Sequence, residues 1–278
     1  MQTKLAAFIS DTSAGREAQE ILGRCVHCGF CTATCPTYQL LGNELDGPRG
    51  RIYLIKSMLE GTACSKSTLL HLDRCLTCRS CETTCPSGVE YGRLLEIGRR
   101  VAEKAVPRSI SRRLGRRLLA WFLTSGLFPV LLGLGRSVRR LCPENVARYI
   151  PVSYAVGEKP SSIRSRQMIV LEGCVQPTLS PNINAATARV LDRLGISLIS
   201  ASEAGCCGAL ALHLSIEDRA RQAMRRNIDA WWPLLEAGAE CIVMTASGCG
   251  VTVKEYGQML ADVGGDEVAD WLRQRGLV

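Results

Sequence analysis

The chain has 278 residues, 46% hydrophobic and 5% aromatic, enough for two domains each with its own core. Its fifteen cysteines are far above ordinary usage and leave two explanations, a disulfide scaffold or metal chemistry. The net charge of +8 sits in one segment, since Arg93 to Arg140 carries +10 and the rest is slightly acidic; the basic balance is therefore no argument for a nucleic-acid partner.

The opening residues, MQTKLAAFISDTSAGREAQE, hold a five-residue apolar stretch from Leu5 to Ile9, too short for a signal-peptide core. The expectation is a cytoplasmic protein whose thiols stay reduced and serve as ligands, with contact to the inner face of the cell membrane as an extension. GREAQEILG reads as a helical lead-in to RCVHCGFCTATCPTY, residues 24 to 38. In DGPRGRIYLIKSMLEG, Pro48 opens a helix and Gly61 closes it, with Ile52, Ile55 and Leu59 on one face. STLLHLDRCLTC leads into RCLTCRSCETTCPSG, residues 74 to 88, and residues 89 to 106 are again helical. A helical domain over 1–106 is expected.

Residues 107–164 read as a basic, apolar connector. The uncharged run from Leu118 to Gly135 is interrupted by Thr124, Ser125, Gly126 and Pro129, which predicts two short amphipathic helices around a turn. They can pack on protein or lie in a membrane surface; a true span is the weakest reading. Residues 165–278 then alternate strand and helix: QMIVLEGC, a helix closed by Gly195, ISLISASEAGCCGAL, a long helix opened by Ser215 with Asp218, and CIVMTASGCG. That order predicts a small parallel α/β unit, and the fold class is α+β, multidomain.

Both cysteine runs have the spacing C-x2-C-x2-C-x3-C-P. This is the ferredoxin pattern for four-iron four-sulfur clusters, in which the fourth cysteine of each run ligates the other cluster. It assigns Cys25, Cys28, Cys31 and Cys85 to one cluster, and Cys75, Cys78, Cys81 and Cys35 to the second. Zinc knuckles also use C-x2-C pairs, but separated by longer stretches. Arg24, Arg74, Arg79, Gly29 and Gly88 are candidates for tuning the clusters, as is His27, which lies inside a loop; His71 is the other nearby non-sulfur candidate. In the second half, Cys174, Cys206, Cys207 and Cys249 all fall after predicted strands, where parallel units place their crevice, and form a candidate metal site. The alternative is that some are small core residues. Cys241 in ECIVM reads as core, and Cys64 and Cys142 lack any context.

The two runs bridged by GPRGRIYLIKSMLEG, followed by GCVQP, GCCGAL and TASGCGVTVKEYG, resemble the iron–sulfur subunits of bacterial glycolate oxidase. These are related through CCG domains to heterodisulfide reductase and the anaerobic glycerol-3-phosphate dehydrogenase. The resemblance implies an α-helical ferredoxin domain with two 4Fe-4S clusters joined to a CCG domain, and flavin-containing partner subunits that oxidise glycolate to glyoxylate. Electrons would leave toward a quinone-type acceptor. The family pattern has two CCG repeats; this sequence shows one and ends in DVGGDEVADWLRQRGLV, which does not continue it, so a shortened form is expected. Where some relatives place C-x2-C, this chain has Cys249 and Thr252. No dinucleotide fingerprint is present, so no substrate site of its own is expected. The rivals are a related subunit serving lactate, glycerol phosphate or a heterodisulfide, a CCG site that is itself catalytic, and a zinc-binding nucleic-acid regulator using residues 108 to 117.

Overall fold

A computed structural model of the chain describes residues 1–158, 160 and 163–261. It divides into two compact units, Met1–Ile110 and from Ser111 onward. The connector expected over 107–164 is shared between them and is not a unit of its own.

The first unit is helical: α1 (Ser13–Arg24), α2 (Phe30–Ala33), α3 (Pro36–Leu41), α4 (Pro48–Leu59), α5 (Lys66–Asp73), α6 (Ser80–Thr83) and α7 (Tyr91–Ala105). Thr12 caps α1, accepting a 3.0 Å hydrogen bond from Gly15 N–H, and Pro48 occupies the first turn of α4. Apolar residues at helical spacing on α1, α4, α5 and α7 meet in one core, where Ile21, Leu22, Ile55, Leu59, Leu72 and Leu94 are fully buried. The α4–α7 crossing is close because Gly98 has no side chain; a Cβ there would lie 2.6 Å from Ile55 Cγ1. Arg93 fastens α7 to α1 through Glu17, at 2.8 and 3.0 Å. The short α2 and α6 lie within the two cysteine runs, whose inner residues Cys25 and Cys81 pack on this core while Cys28 and Cys78 are exposed.

The second unit contains α8 (Ile110–Leu123), whose first residue belongs to the preceding unit, then α9 (Leu127–Val138), α10 (Glu144–Ala147), β1 (Arg166–Leu171), α11 (Gln176–Leu179), α12 (Pro181–Arg193), β2 (Ile196–Ser200), α13 (Ala209–His213), α14 (Glu217–Glu236), β3 (Ile242–Met244), α15 (Ser247–Lys254) and α16 (Tyr256–Ala261). The two connector helices are present and bend by 80° at their break. The sheet is parallel in the order β2-β1-β3, with Ile169 opposite both Ile199 and Ile242. Period-two alternation sets the two faces of β1. Ile169 and Leu171 join a core with Met224, Ile228, Trp231 and Leu260, whereas Val170 lines a cavity against α12.

Two local expectations are corrected. The long helix starts at Glu217 with Ile216 at its N-cap, so Ser215, at φ +59°, stands one residue before the cap position. Cys241 is exposed, not core. It precedes the edge strand β3, and its carbonyl accepts from Ile169 N–H at 2.9 Å while its side chain faces out. The expectations for residues 262–278 lie outside the described residues.

Candidate metal centre

The two cysteine runs repeat in three dimensions. His27 and Gly29 in the first, and Thr77 and Arg79 in the second, all have positive φ between 54° and 84°, at matching positions fifty residues apart. Alternating left-handed residues curl each loop and turn successive amides and sulfurs toward one side; Thr77 N–H accordingly donates to Cys75 Sγ at 3.4 Å. The loops are joined by the matching threonines: Thr84 donates to Thr34 Oγ1 at 3.3 Å, and both reach the Ser80 carbonyl, at 3.0 and 3.2 Å.

Cys25, Cys28 and Cys31 line one cavity together with Cys85 from the other run. Cys81 also reaches its wall. Among the described residues the buried His27 Nε2 has no hydrogen-bond partner and the buried Tyr91 hydroxyl faces the Cys75 sulfur; both residues line this cavity. Burial first, then the neighbouring Cys25, Cys85 and Cys28, push the Cys31 thiol up to about 11. Cys81 moves further in the same direction, by burial and then by Cys75. Crowded buried thiolates need a compensating cation. The positively charged core of an iron–sulfur cluster supplies one, and the Tyr91 hydroxyl and the His27 ring are groups of the kind that hydrogen-bond to cluster sulfurs. The residues present therefore fit the group. Cys35 is buried, its sulfur 3.2 Å from Thr37 Oγ1; Cys75 and Cys78 adjoin Cys81.

Behind Cys35 and Cys75 lies a buried ionic network. Asp46 is wholly inaccessible and meets His71 Nδ1 at 2.9 Å, Arg74 at 2.9 Å and Arg51 at 3.7 Å. Burial pushes the Asp46 carboxyl up, but the hydrogen bonds from His71 and Arg74 outweigh it and hold it below its ordinary range. Arg51 donates to the His71 carbonyl (2.8 Å) and to Thr37 Oγ1 (3.2 Å), and Thr37 donates to the Asp46 carbonyl (2.8 Å). Arg24, the counterpart of Arg74, instead pairs at the surface with Glu20 and Glu90.

In the second unit the segments after all three strands bring four thiols together, Cys174, Cys206 and Cys207 from loops and Cys249 from α15. Their sulfurs form a contact chain from Cys174 through Cys206 and Cys207 to Cys249, the last two 3.3 Å apart. Cys174 and Cys207 donate and shift up; hydrogen bonds from both, aided by Gly208 N–H and Arg226, shift Cys206 down. The pair is clamped from behind by buried Asn227, which accepts from Gly205 N–H (2.8 Å) and donates to the Cys206 carbonyl (3.0 Å). Tyr256 donates to the Cys207 carbonyl at 2.7 Å. Gly208 follows with φ +88°, where a Cβ would also stand 2.9 Å from the Ala220 carbonyl oxygen. Among the described residues no group of three or more His, Cys, Asp or Glu is arranged around a single metal ion.

Residues 21–89 match the 4Fe-4S dicluster domain, and residues 168–254 match the cysteine-rich CCG domain. The chain is 56% identical over 262 residues, 94% of its length and 64% of the relative's, to the glycolate oxidase iron–sulfur subunit of Escherichia coli (strain K12). The chain resembles the iron–sulfur subunit of glycolate oxidase along nearly its whole length. The probable glycolate oxidase iron–sulfur subunit of Bacillus subtilis (strain 168) is 29% identical over 86% of this chain and 60% of its own length. A component of the dihydromethanophenazine:CoB–CoM heterodisulfide reductase of Methanosarcina acetivorans is 25% identical over 82% of the chain and 56% of its own length. The chain thus spans less than two thirds of the length of these curated relatives. No solved structure matches it significantly.

Within the dicluster domain the sequence motif located the sulfurs but not their supports. Asp46 and Arg51 carried one signal, charges beside the apolar face that begins at Ile52. Tyr91 carried none. Arg108, needed by the nucleic-acid reading, is buried against Asp73 (2.7 and 2.8 Å) and Glu103 (2.8 Å). In the CCG domain, Asn227 and Tyr256 come from helices distant in sequence from GCCGAL and could not be linked to it without the fold.

Proposed function

We propose that the chain is the electron-transfer iron–sulfur component of a flavin-dependent glycolate oxidase or dehydrogenase. The observation that carries this reading is the cavity in which Cys85 of the second run joins Cys25, Cys28 and Cys31 of the first. Those four cysteines would hold one 4Fe-4S cluster, and Cys35, Cys75, Cys78 and Cys81 the other. When bound, the two clusters supply one-electron redox chemistry between a flavin on a partner subunit and a quinone-type acceptor. The chain's own residues set the conditions. The core of α1, α4, α5 and α7 keeps water from the inner side of the loops; Tyr91 and His27 present hydrogen-bond donors; Arg74, Arg51 and Asp46 fix the backbone around Cys35 and Cys75. The four CCG thiols form a second candidate centre, for an additional metal or cluster, on the same relay.

The test is anaerobic affinity purification of the tagged chain from its native host. A co-purifying flavoprotein that reduces a dye acceptor with glycolate, and loses that activity when Cys28 is changed to Ser in this chain, is the expected result. Activity with lactate or glycerol phosphate instead would move the substrate assignment, and the absence of any flavoprotein would sink the subunit reading.

A further inference from the structure

We propose that α8 and α9 form a hairpin that docks this protein on an anionic lipid surface. On α9, Leu127, Val130, Leu131, Leu134 and Val138 recur at i, i+3, i+4, i+7 and i+11, yet each is between 48% and 60% exposed. Leu114, Leu118 and Trp121 make a similar exposed stripe on α8. A soluble helix buries such a stripe, and this hairpin buries its other side. Ala120 and Phe128 are in the interior. Arg136 donates to the carbonyls of Thr178 (3.1 Å) and Leu179 (3.3 Å), and Arg219 donates to Thr124 Oγ1 at 2.7 Å. One face is thus fastened to its own unit, and the leucine face is presented outward.

Charge chooses the occupant. Between Glu103 and Glu144 the sequence has nine Lys or Arg and no carboxylate. Arg112, Arg113, Arg117 and Arg140 are exposed around the apolar stripes. A second copy of this chain would bring those arginines face to face, whereas lipid phosphates neutralise them. Geometry sets the depth. Among the described residues no single helix is long and apolar enough to cross a membrane, the pair is bent by 80°, and α9 at ~18 Å falls short of a ~30 Å hydrocarbon core. The hairpin therefore lies in the interface with Trp121 at headgroup level. Its turn, Thr124 to Gly126, also lines a cleft of about 900 Å³ that reaches Cys174 and Cys206, so docking would set that cleft close to the lipid.

The experiment is flotation of the anaerobically purified full chain with vesicles of equimolar phosphatidylcholine and phosphatidylglycerol, beside vesicles of phosphatidylcholine alone. Binding to the mixed vesicles, weakened by salt, is expected, together with quenching of Trp121 fluorescence by brominated lipid, judged against a Trp121→Phe control. The pair Val130→Asp with Leu134→Asp, and the pair Arg112→Glu with Arg117→Glu, should each lower the bound fraction by about tenfold or more with unchanged circular dichroism. Absence of flotation, or Trp121 emission blind to brominated lipid in the unaltered protein, would overturn the proposal. So would a dimer in solution that the Val130/Leu134 pair converts to monomer, since a second copy would then be the occupant.

Discussion

Asp46 gathers two arginines and a histidine in a place water does not reach. Replacing it by Asn leaves Arg51 buried beside a neutral amide, and breaking one partner of a buried ionic group typically costs about 3–5 kcal/mol. Asp46→Asn should lower the denaturant midpoint of the dicluster domain and reduce the iron retained per chain; an unchanged midpoint would refute the network's role. Asn227 is the corresponding residue in the CCG domain. Asn227→Ala strips the Gly205 amide and Cys206 carbonyl of their partner, a loss of roughly 2–4 kcal/mol, and should quicken the reaction of Cys206 and Cys207 with a thiol reagent while leaving dicluster iron unaltered. Cysteines declare themselves by spacing, so the sulfurs were legible. The groups holding them were not: Asp46, Tyr91 and Asn227 are ordinary residue types whose meaning lies in burial and in partners brought from elsewhere in the chain.

At the level of elements, the helices that carry periodic leucines and isoleucines, and the three short β-rich runs, were readable because packing there follows the pattern. The reading failed where geometry is settled by one dihedral or one neighbour. Ser215 looked like a cap but is left-handed and precedes the N-cap Ile216, and Cys241 lies just before an edge strand and is exposed. The left-handed Thr77 and Arg79 had no signature beyond their match to His27 and Gly29. The α4–α7 crossing rests on Gly98. Gly98→Val forces a branched side chain against Ile55 and should destabilise the first unit by about 1–3 kcal/mol; Gly98→Val combined with Ile55→Ala should recover part of that loss in thermal melts. Failure of the double variant to recover would mean that the contact does not limit the approach of the helices.

At the level of the whole molecule, the ligation proposed above makes the two runs one cooperative object. If each loop closes its neighbour's cluster, then Cys85→Ala, a change in the second run, should remove the cluster framed by the first. The chain spans 64% of the length of its Escherichia coli relative, and it carries a dicluster domain and a CCG domain. The most direct measurement is iron and acid-labile sulfide per chain in anaerobically purified protein, with EPR after reduction. Two cubanes require about eight of each and a spectrum of reduced 4Fe-4S centres. Colourless protein holding zinc, or iron without sulfide, would contradict them.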